Sequence, residues 1–396
     1  MAYDNYIIKH KDIDIGKITI NKNNYNIIDT EIENSVFSPI SNSIPKDEQI
    51  ADINQWFNNR CIPGSRYGID ILKKTYNIHD LRELMVLSLG LSLSDHYWIV
   101  REKENKIKWN EINFFDNKYS ENMGKVFFDK HFVKNADLNI GYVPDSSLNG
   151  LLKKRWHNNG QINILIKNSS EPYKQEPFNE YFSSLVLDKL NINHITYNII
   201  KENEEYNSTC PCIINKDTEM VSFVDMLRKY AQHITREKYD GYTRILDIAQ
   251  SNSLPAYKEE LHNMAVADYI LCNNDRHWNN FGILRDSNNG KWISAIPLFD
   301  NGGSLWNGEN VPKDTHSKCN SFANTNEECI KLLKININKV INKDNLIDLI
   351  DIFDTAFNNY SNAERKKILR NGLIQKRKLV YDYMDKCEFT SLIQST

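Results

Sequence analysis

Three oxygen-bearing side chains stand where the chain must turn. Asp275 lies at the exit of a helical pattern, Asn280 five residues later, and Asp300 where an expected hairpin runs into the turn Asn301-Gly302-Gly303. Phosphoryl transfer uses such a set: one carboxylate orients the attacking hydroxyl, while an amide oxygen and a second carboxylate hold Mg²⁺ against nucleotide phosphates. Hard oxygen donors on a short loop and at a strand end suit Mg²⁺, which takes few protein ligands and keeps waters. Lys167 adds a cation for the phosphates, and Glu180 on the next helix can steady it, with Glu171 and Glu176 as competitors for that role. Taken singly, Asp275 or Asp300 reads as a helix-end or turn carboxylate and Lys167 as a solvated strand lysine; the joint spacing carries the reading.

The elements that must position these residues follow from periodicity. Apolar positions from Leu261 to Leu271 predict a helix over 257–272 that runs directly into NNDRHWNNFG. Strands are expected over 282–285 and 291–299, joined through 287–290, where Asn289-Gly290 is a strong hairpin signal. In INILIK, Ile162, Ile164 and Ile166 form one apolar face, so Asn163, Leu165 and Lys167 share the other. A helix is expected over 177–190, with Phe182, Leu185, Val186 and Lys189 as its buried stripe and Glu180 beside the small Ser183 and Ser184. Further upstream, Asp80 introduces a helix over 79–93, residues 100–125 read as a boundary segment, and Phe127-Phe128 begin a β-like stretch. Residues 221–227 read as a short connector, and the last 70 residues as two or three helices.

NNDRHWNNFG followed by LFDNGG resembles the HipA-like serine/threonine kinases, with a more distant likeness to phosphoinositide kinases. The D-x-x-x-x-N spacing also equals that of ordinary protein kinases. The likeness covers residues 262–305 and 143–190. It implies Asp275 as catalytic base, Asn280 and Asp300 as metal ligands, Lys167 as the nucleotide lysine and Glu180 as its helix partner. The loop around Ser146, Ser147 and Gly150, followed by Lys154 and Trp156, is similar to that family's phosphate loop, and Leu165 is expected to line the adenine pocket. His277 is implied to touch the transferred phosphate or Asp300; a loop histidine bonding its own backbone is the other reading. Two departures stand out: the order is neither H-R-D nor D-F-G, and the phosphate loop is poor in Gly.

The fold class this implies is α+β: a bilobal protein-kinase-like fold with a β-rich N-lobe (126–224) and a mainly helical C-lobe (225–396), preceded by an N-terminal α/β module (1–125) of unknown role. The implied activity is ATP- and Mg²⁺-dependent phosphorylation of a protein Ser or Thr. Autophosphorylation at Ser146 or Ser147, and a toxin-like role beside a DNA-binding antitoxin partner, come with the resemblance. A lipid or small-molecule kinase and an ATP-binding pseudokinase are the alternatives.

Composition bounds these readings. The 396 residues carry 49 Lys and Arg against 52 Asp and Glu, a net charge of −3, so no global basic field gathers nucleic acid or an anionic membrane. With 40% hydrophobic residues and only 15 Gly and 10 Pro, the chain is a packed globular protein. No apolar run approaches the roughly 18 residues of a membrane span. The start of the chain lacks a secretory pattern. Seven scattered cysteines fit a reducing compartment, so cytoplasmic is the expected location. The basic run from Arg365 to Lys378 reads as a solvated helix face.

Overall fold

A computed structural model describes residues 2–33, 35–66, 69–128, 142–231 and 237–395. In chain order the first elements are β1 (Tyr3–His10), β2 (Ile13–Asn21), β3 (Ile27–Ile32), α1 (Lys46–Asn59), α2 (Ile69–Tyr76), α3 (Leu81–Leu87), β4 (Tyr97–Arg101), α4 (Trp109–Ile112) and α5 (Asn122–Phe128). Next come β5 (Lys154–Asn158), β6 (Asn163–Lys167), α6 (Glu176–Leu190), β7 (Asn198–Glu202), β8 (Glu205–Pro211), β9 (Thr218–Ser222) and α7 (Phe223–Tyr230). The remainder holds α8 (Lys238–Ser251), α9 (Tyr257–Leu271), β10 (Gly282–Asp286), β11 (Trp292–Ala295), α10 (Asn326–Leu332), α11 (Leu349–Ala356) and α12 (Ala363–Ser395). The content is mixed α+β. The chain forms two compact units, each assembled from three separate stretches: Met1–Lys167, Pro211–Ile234 and Ile283–Ile293 in the first, and Asn168–Cys210, Thr235–Gly282 and Ser294–Thr396 in the second.

The first unit is built on an antiparallel sheet in the order β3-β2-β1-β4. Side chains alternate across β1, so Tyr6 and Ile8 join Ile18, Ile53, Trp56, Phe57 and Ile99 on one face, while Ile7 joins Trp98 and Val100 on the other. Trp109, Ile112, Phe114, Leu148 and Trp156 close that second face, so the core runs through 109–114 and onward to β5. A second sheet, β11-β10-β9, is tied in by a buried polar network. Glu219 on β9 accepts from Arg285 on β10 at 2.7 and 3.0 Å and bonds His10 Nε2 at 2.8 Å and His96 Nδ1 at 3.3 Å. His10, His96 and Glu219 have the residue types of a metal site. The guanidinium of Arg285 already occupies the carboxylate, which marks the cluster as an ion-pair network. Burial would push the Glu219 carboxyl up, but Arg285 and His10 hold it well below the usual range.

Local expectations meet the first unit unevenly. Asp80 does cap α3, accepting from Arg82 N–H at 2.9 Å, but the helix ends at Leu87, because Leu89 and Gly90 take positive φ. Residues 127 and 128 are helical, closing α5. The expected connector at 221–227 is the end of β9 plus α7, whose first turn is capped by the Ser222 hydroxyl. On β6 the alternation misleads: Ile162 lies outside the strand and half exposed, whereas Asn163 and Lys167 are buried.

In the second unit α6 packs on α11, and α9 packs on α8, α10 and α12. Phe178 and Phe182 of α6 meet Phe357 and Phe353 at centroid distances of 5.6 and 6.0 Å. Each such buried ring contributes on the order of 1.5–3 kcal/mol. The buried stripe of α6 is therefore Phe178, Phe182, Val186 and Leu190, while Lys189 is exposed and pairs with Asp348 at 2.7 Å. Within the expected solvated basic run, Arg365 and Lys376 are buried; Arg365 donates to Gln175 Oε1 and Trp306 O, and Lys376 pairs with Glu327. Among the described residues no disulfide forms, and no helix is long and apolar enough to cross a membrane.

Candidate active site

Five of the expected site residues, Glu180, Asp275, His277, Asn280 and Asp300, lie in the second unit; Ser146, Ser147, Gly150, Lys154, Leu165 and Lys167 lie in the first. The loop after α9 begins where Cys272 adopts a left-handed conformation, φ 52°, and stops the helix. Asn273 then holds the turn, its amide donating to Asp268 Oδ1 at 2.9 Å and its oxygen accepting Asp275 N–H at 3.1 Å. His277 N–H donates to Asp275 O and Asn280 N–H to His277 O, both at 2.8 Å, which winds 275–280 into a tight loop. Asn280 is buried and its amide nitrogen donates to Asp275 O at 3.0 Å, so the same side chain retains its oxygen as an acceptor. Asp275 is exposed. The His277 imidazole accepts Asn279 N–H on Nδ1 at 3.3 Å, which is the local backbone bond.

The second loop, from Phe299 to Leu305, is laid against the first. Asn274 N–H donates to Gly303 O at 3.1 Å and Leu305 N–H to Leu271 O at 2.9 Å. At Gly303 an added Cβ would sit 2.6 Å from Asp275 Cβ, so only glycine lets the loops approach this closely. Asp300 holds φ at 56° and donates its N–H to the Tyr197 hydroxyl at 3.1 Å. Helix α6 supports this loop from behind: Asn179 donates to Gly302 O and Ser304 O at 2.7 Å, and Glu180 accepts Asn301 N–H at 3.0 Å. The small Ser183 beside Glu180 bonds Ser304 at 3.1 Å. Glu171 is exposed and paired with Lys174, and Glu176 accepts from Ser170, so both alternatives to Glu180 have local partners.

Arg276, which residue spacing alone does not single out, ties the two loops together. Its fully buried guanidinium reaches Asp268 at 3.1 Å, Asn280 O at 3.2 Å, Phe299 O and Asn301 Oδ1. Burial would lower its pKa, yet Asp268, with help from Asp300 and Glu180, holds it above the ordinary value. The signal that could have found it is Asp268, a carboxylate inside the apolar run of α9.

In the first unit, residues Pro144–Ser147 form a 3₁₀ turn. Ser146 and Ser147 are buried, and their hydroxyls donate to Val143 O at 2.8 Å and Pro144 O at 3.1 Å. Gly150 has φ 101°, and an added Cβ there would overlap Lys154 Nζ, so the ammonium lies over the loop. Lys154 and Lys167 are Cα partners across the β5/β6 ladder, and Leu165 faces Trp156 and packs on the core around it. The expected phosphate-binding groups thus share one hairpin and its preceding loop.

The family model described as HipA-like C-terminal domain matches residues 135–345. A Shewanella oneidensis MR-1 HipA, solved with HipB and its operator DNA as a toxin–antitoxin system, is similar at TM-score 0.54 and 13% identity, covering 97% of this chain and 96% of that one. The Helicobacter pylori proinflammatory kinase CtkA is similar at TM-score 0.48 and 17% identity, covering 60% of this chain and 95% of that one. Among curated proteins no match is found.

Proposed function

The chain belongs to the HipA-like C-terminal domain family, and from that premise we propose that it is an ATP-dependent kinase that transfers the γ-phosphoryl group to a Ser or Thr hydroxyl of a protein. The observation that carries this reading is the Arg276 lock, which fixes the loop bearing Asp275 and Asn280 to the loop that follows Asp300. Asp275 orients the attacking hydroxyl. The Asn280 amide oxygen and the Asp300 carboxylate hold Mg²⁺, and this all-oxygen donor set fits that ion. When bound, the ion supplies charge neutralisation across the phosphates. Lys167, with Lys154 opposite it on the ladder, receives the phosphates, and the loop carrying Ser146, Ser147 and Gly150 cradles them through backbone N–H groups. Glu180 stabilises the loop after Asp300 through Asn301, in addition to its role toward the nucleotide lysine. Leu165 contributes apolar contact to adenine. His277, whose Nδ1 accepts Asn279 N–H, is an auxiliary contact to the transferred group.

A partner of the HipB type is proposed with this activity, on the likeness to the Shewanella oneidensis HipA solved with HipB and operator DNA. The test of the activity is transfer of radiolabel from γ-labelled ATP to protein acceptors by the full chain, its Asp275→Asn variant and its Asp300→Asn variant. Transfer by the unaltered chain and its loss in both variants is expected. Equal transfer by all three overturns the role assignment, and label passing to lipid or sugar instead of protein moves the substrate class.

A further inference from the structure

We infer that Arg66, which lies outside the matched HipA-like domain, is a positioning residue that holds the phosphate loop in its anion-receiving form. The inference rests on the kinase reading above and assigns part of the role of residues 1–125. Arg66 is fully buried, and its guanidinium donates from Nε to Gly150 O at 3.0 Å and from Nη2 to Leu148 O. A second tie comes from the end of α1: Asn149 donates its side-chain amide to Asn59 O at 2.9 Å. The loop is therefore held on one side by two residues from upstream of its own domain.

The geometry of the peptide unit turns this grip into a ligand-facing surface. In a trans peptide the C=O of one residue and the N–H of the next point in opposite directions. With the carbonyls of Leu148 and Gly150 drawn toward Arg66, the N–H groups of Asn149 and Leu151 face the other way, on the side where Asn149 and Leu151 are exposed. Backbone N–H groups presented together in this manner form an anion-binding concavity. Lys154 Nζ lies over Gly150 within the same loop, and its register partner Lys167 brings a second ammonium. Beneath the loop Asp145 is fully buried and accepts Trp156 N–H at 2.9 Å, which fastens the 3₁₀ turn to β5. Arg66 thus acts through the backbone, without itself touching nucleotide.

The experiment compares ATP and adenosine binding, by calorimetry with Mg²⁺ present, for the full chain and its Arg66→Gln and Arg66→Lys variants. Losing the carbonyl anchors should weaken ATP about tenfold or more, the scale of one lost charge-assisted hydrogen bond. Adenosine, which has no phosphate, should bind as before. Arg66→Lys should recover part of the ATP affinity by keeping one anchor. In turnover, KM for ATP should rise while kcat at saturation stays near the unaltered value. Should the Arg66 variants fail to fold, Asn149→Ala carries the test, because it removes the second anchor from an exposed position; it should show the same selective loss for ATP at smaller size. Unchanged ATP affinity in the folded variants overturns the inference, as does an equal loss for ATP and adenosine. If the unaltered chain binds no ATP, the kinase reading itself has failed, an outcome visible before any variant is made.

Discussion

Replacing Arg276 by Lys keeps the charge and most of the length but removes the planar fork. The guanidinium serves four partners in three directions: Asp268, the carbonyls of Asn280 and Phe299, and the side chain of Asn301. A single ammonium at the end of a flexible stem cannot reach all of them, so at least two acceptors in a fully buried site lose their donor. Hydrogen bonds to charged groups are worth about 1.5–3 kcal/mol each, which places the loss of two at roughly 3–6 kcal/mol. Against a typical stability of about 5–15 kcal/mol the variant should fold at low temperature and melt early. Activity should fall further than stability explains, because the two loops lose their mutual register, and a displacement of about 1 Å at a reacting centre costs on the order of a hundredfold. Urea unfolding followed by tryptophan fluorescence gives the first quantity, and label transfer well below the midpoint of thermal unfolding gives the second. A variant within about 1 kcal/mol of the unaltered chain, with transfer within a few-fold, would refute the lock.

Three further outcomes are expected. Asp145 is buried and burial raises its pKa to about 7, with Trp156 N–H, Arg66 and Arg155 opposing and Glu121 reinforcing. The folded state therefore keeps the proton that the unfolded chain releases, and stability falls as pH rises from the ordinary carboxyl range toward about 7. The slope is about 1.4 kcal/mol per pH unit. Asp145→Asn abolishes that fall, so its stability relative to the unaltered chain should improve by roughly 3 kcal/mol between about pH 5 and about pH 8; a constant difference in urea melts at the two pH values would count against the assignment. Lys154→Ala removes one of the two ammonium groups proposed to receive phosphate, so the upward shift of the melting temperature given by ATP should shrink; an unchanged shift would count against that role. Because the hydroxyls of Ser146 and Ser147 are buried and bonded within their own turn, any phosphorylation there must open that turn. After incubation with ATP and Mg²⁺, an intact-mass increase on this peptide should be accompanied by new protease cleavage between 144 and 150; added mass with unchanged cleavage would contradict the coupling.

The loop over 273–280 could be read from the sequence because helix α9 ends abruptly and the oxygen-bearing residues fall at fixed distances beyond it. Its neighbour could be read from the strand signals and the Gly pair, although β11 stops at Ala295, short of the strand expected through 299. What escaped was everything that burial decides. Arg276, Arg365 and Lys376 look like surface cations in one dimension and become interior only when distant carbonyls and carboxylates surround them. The faces of β6 depart from the alternation because alternation reports on a sheet with one wet side, whereas Asn163 here is enclosed by Tyr119 and Phe114. Likewise no propensity marks Leu89 as a left-handed residue, so the shortness of α3 had no local signal.

The interleaving of the first unit sets an order of events during synthesis. Its opening strand carries His10, whose carboxylate partner arrives some two hundred residues later on β9, and the guanidinium that satisfies that carboxylate emerges later still, with Arg285. A nascent chain halted before β10 would hold Glu219 against His10 and His96 without the buried guanidinium that completes its ion pairs. Synthesis must therefore run through Arg285 before the strand that carries His10 can complete its buried ion pairs, and truncations that spare the earliest residues still remove the last piece of their foundation.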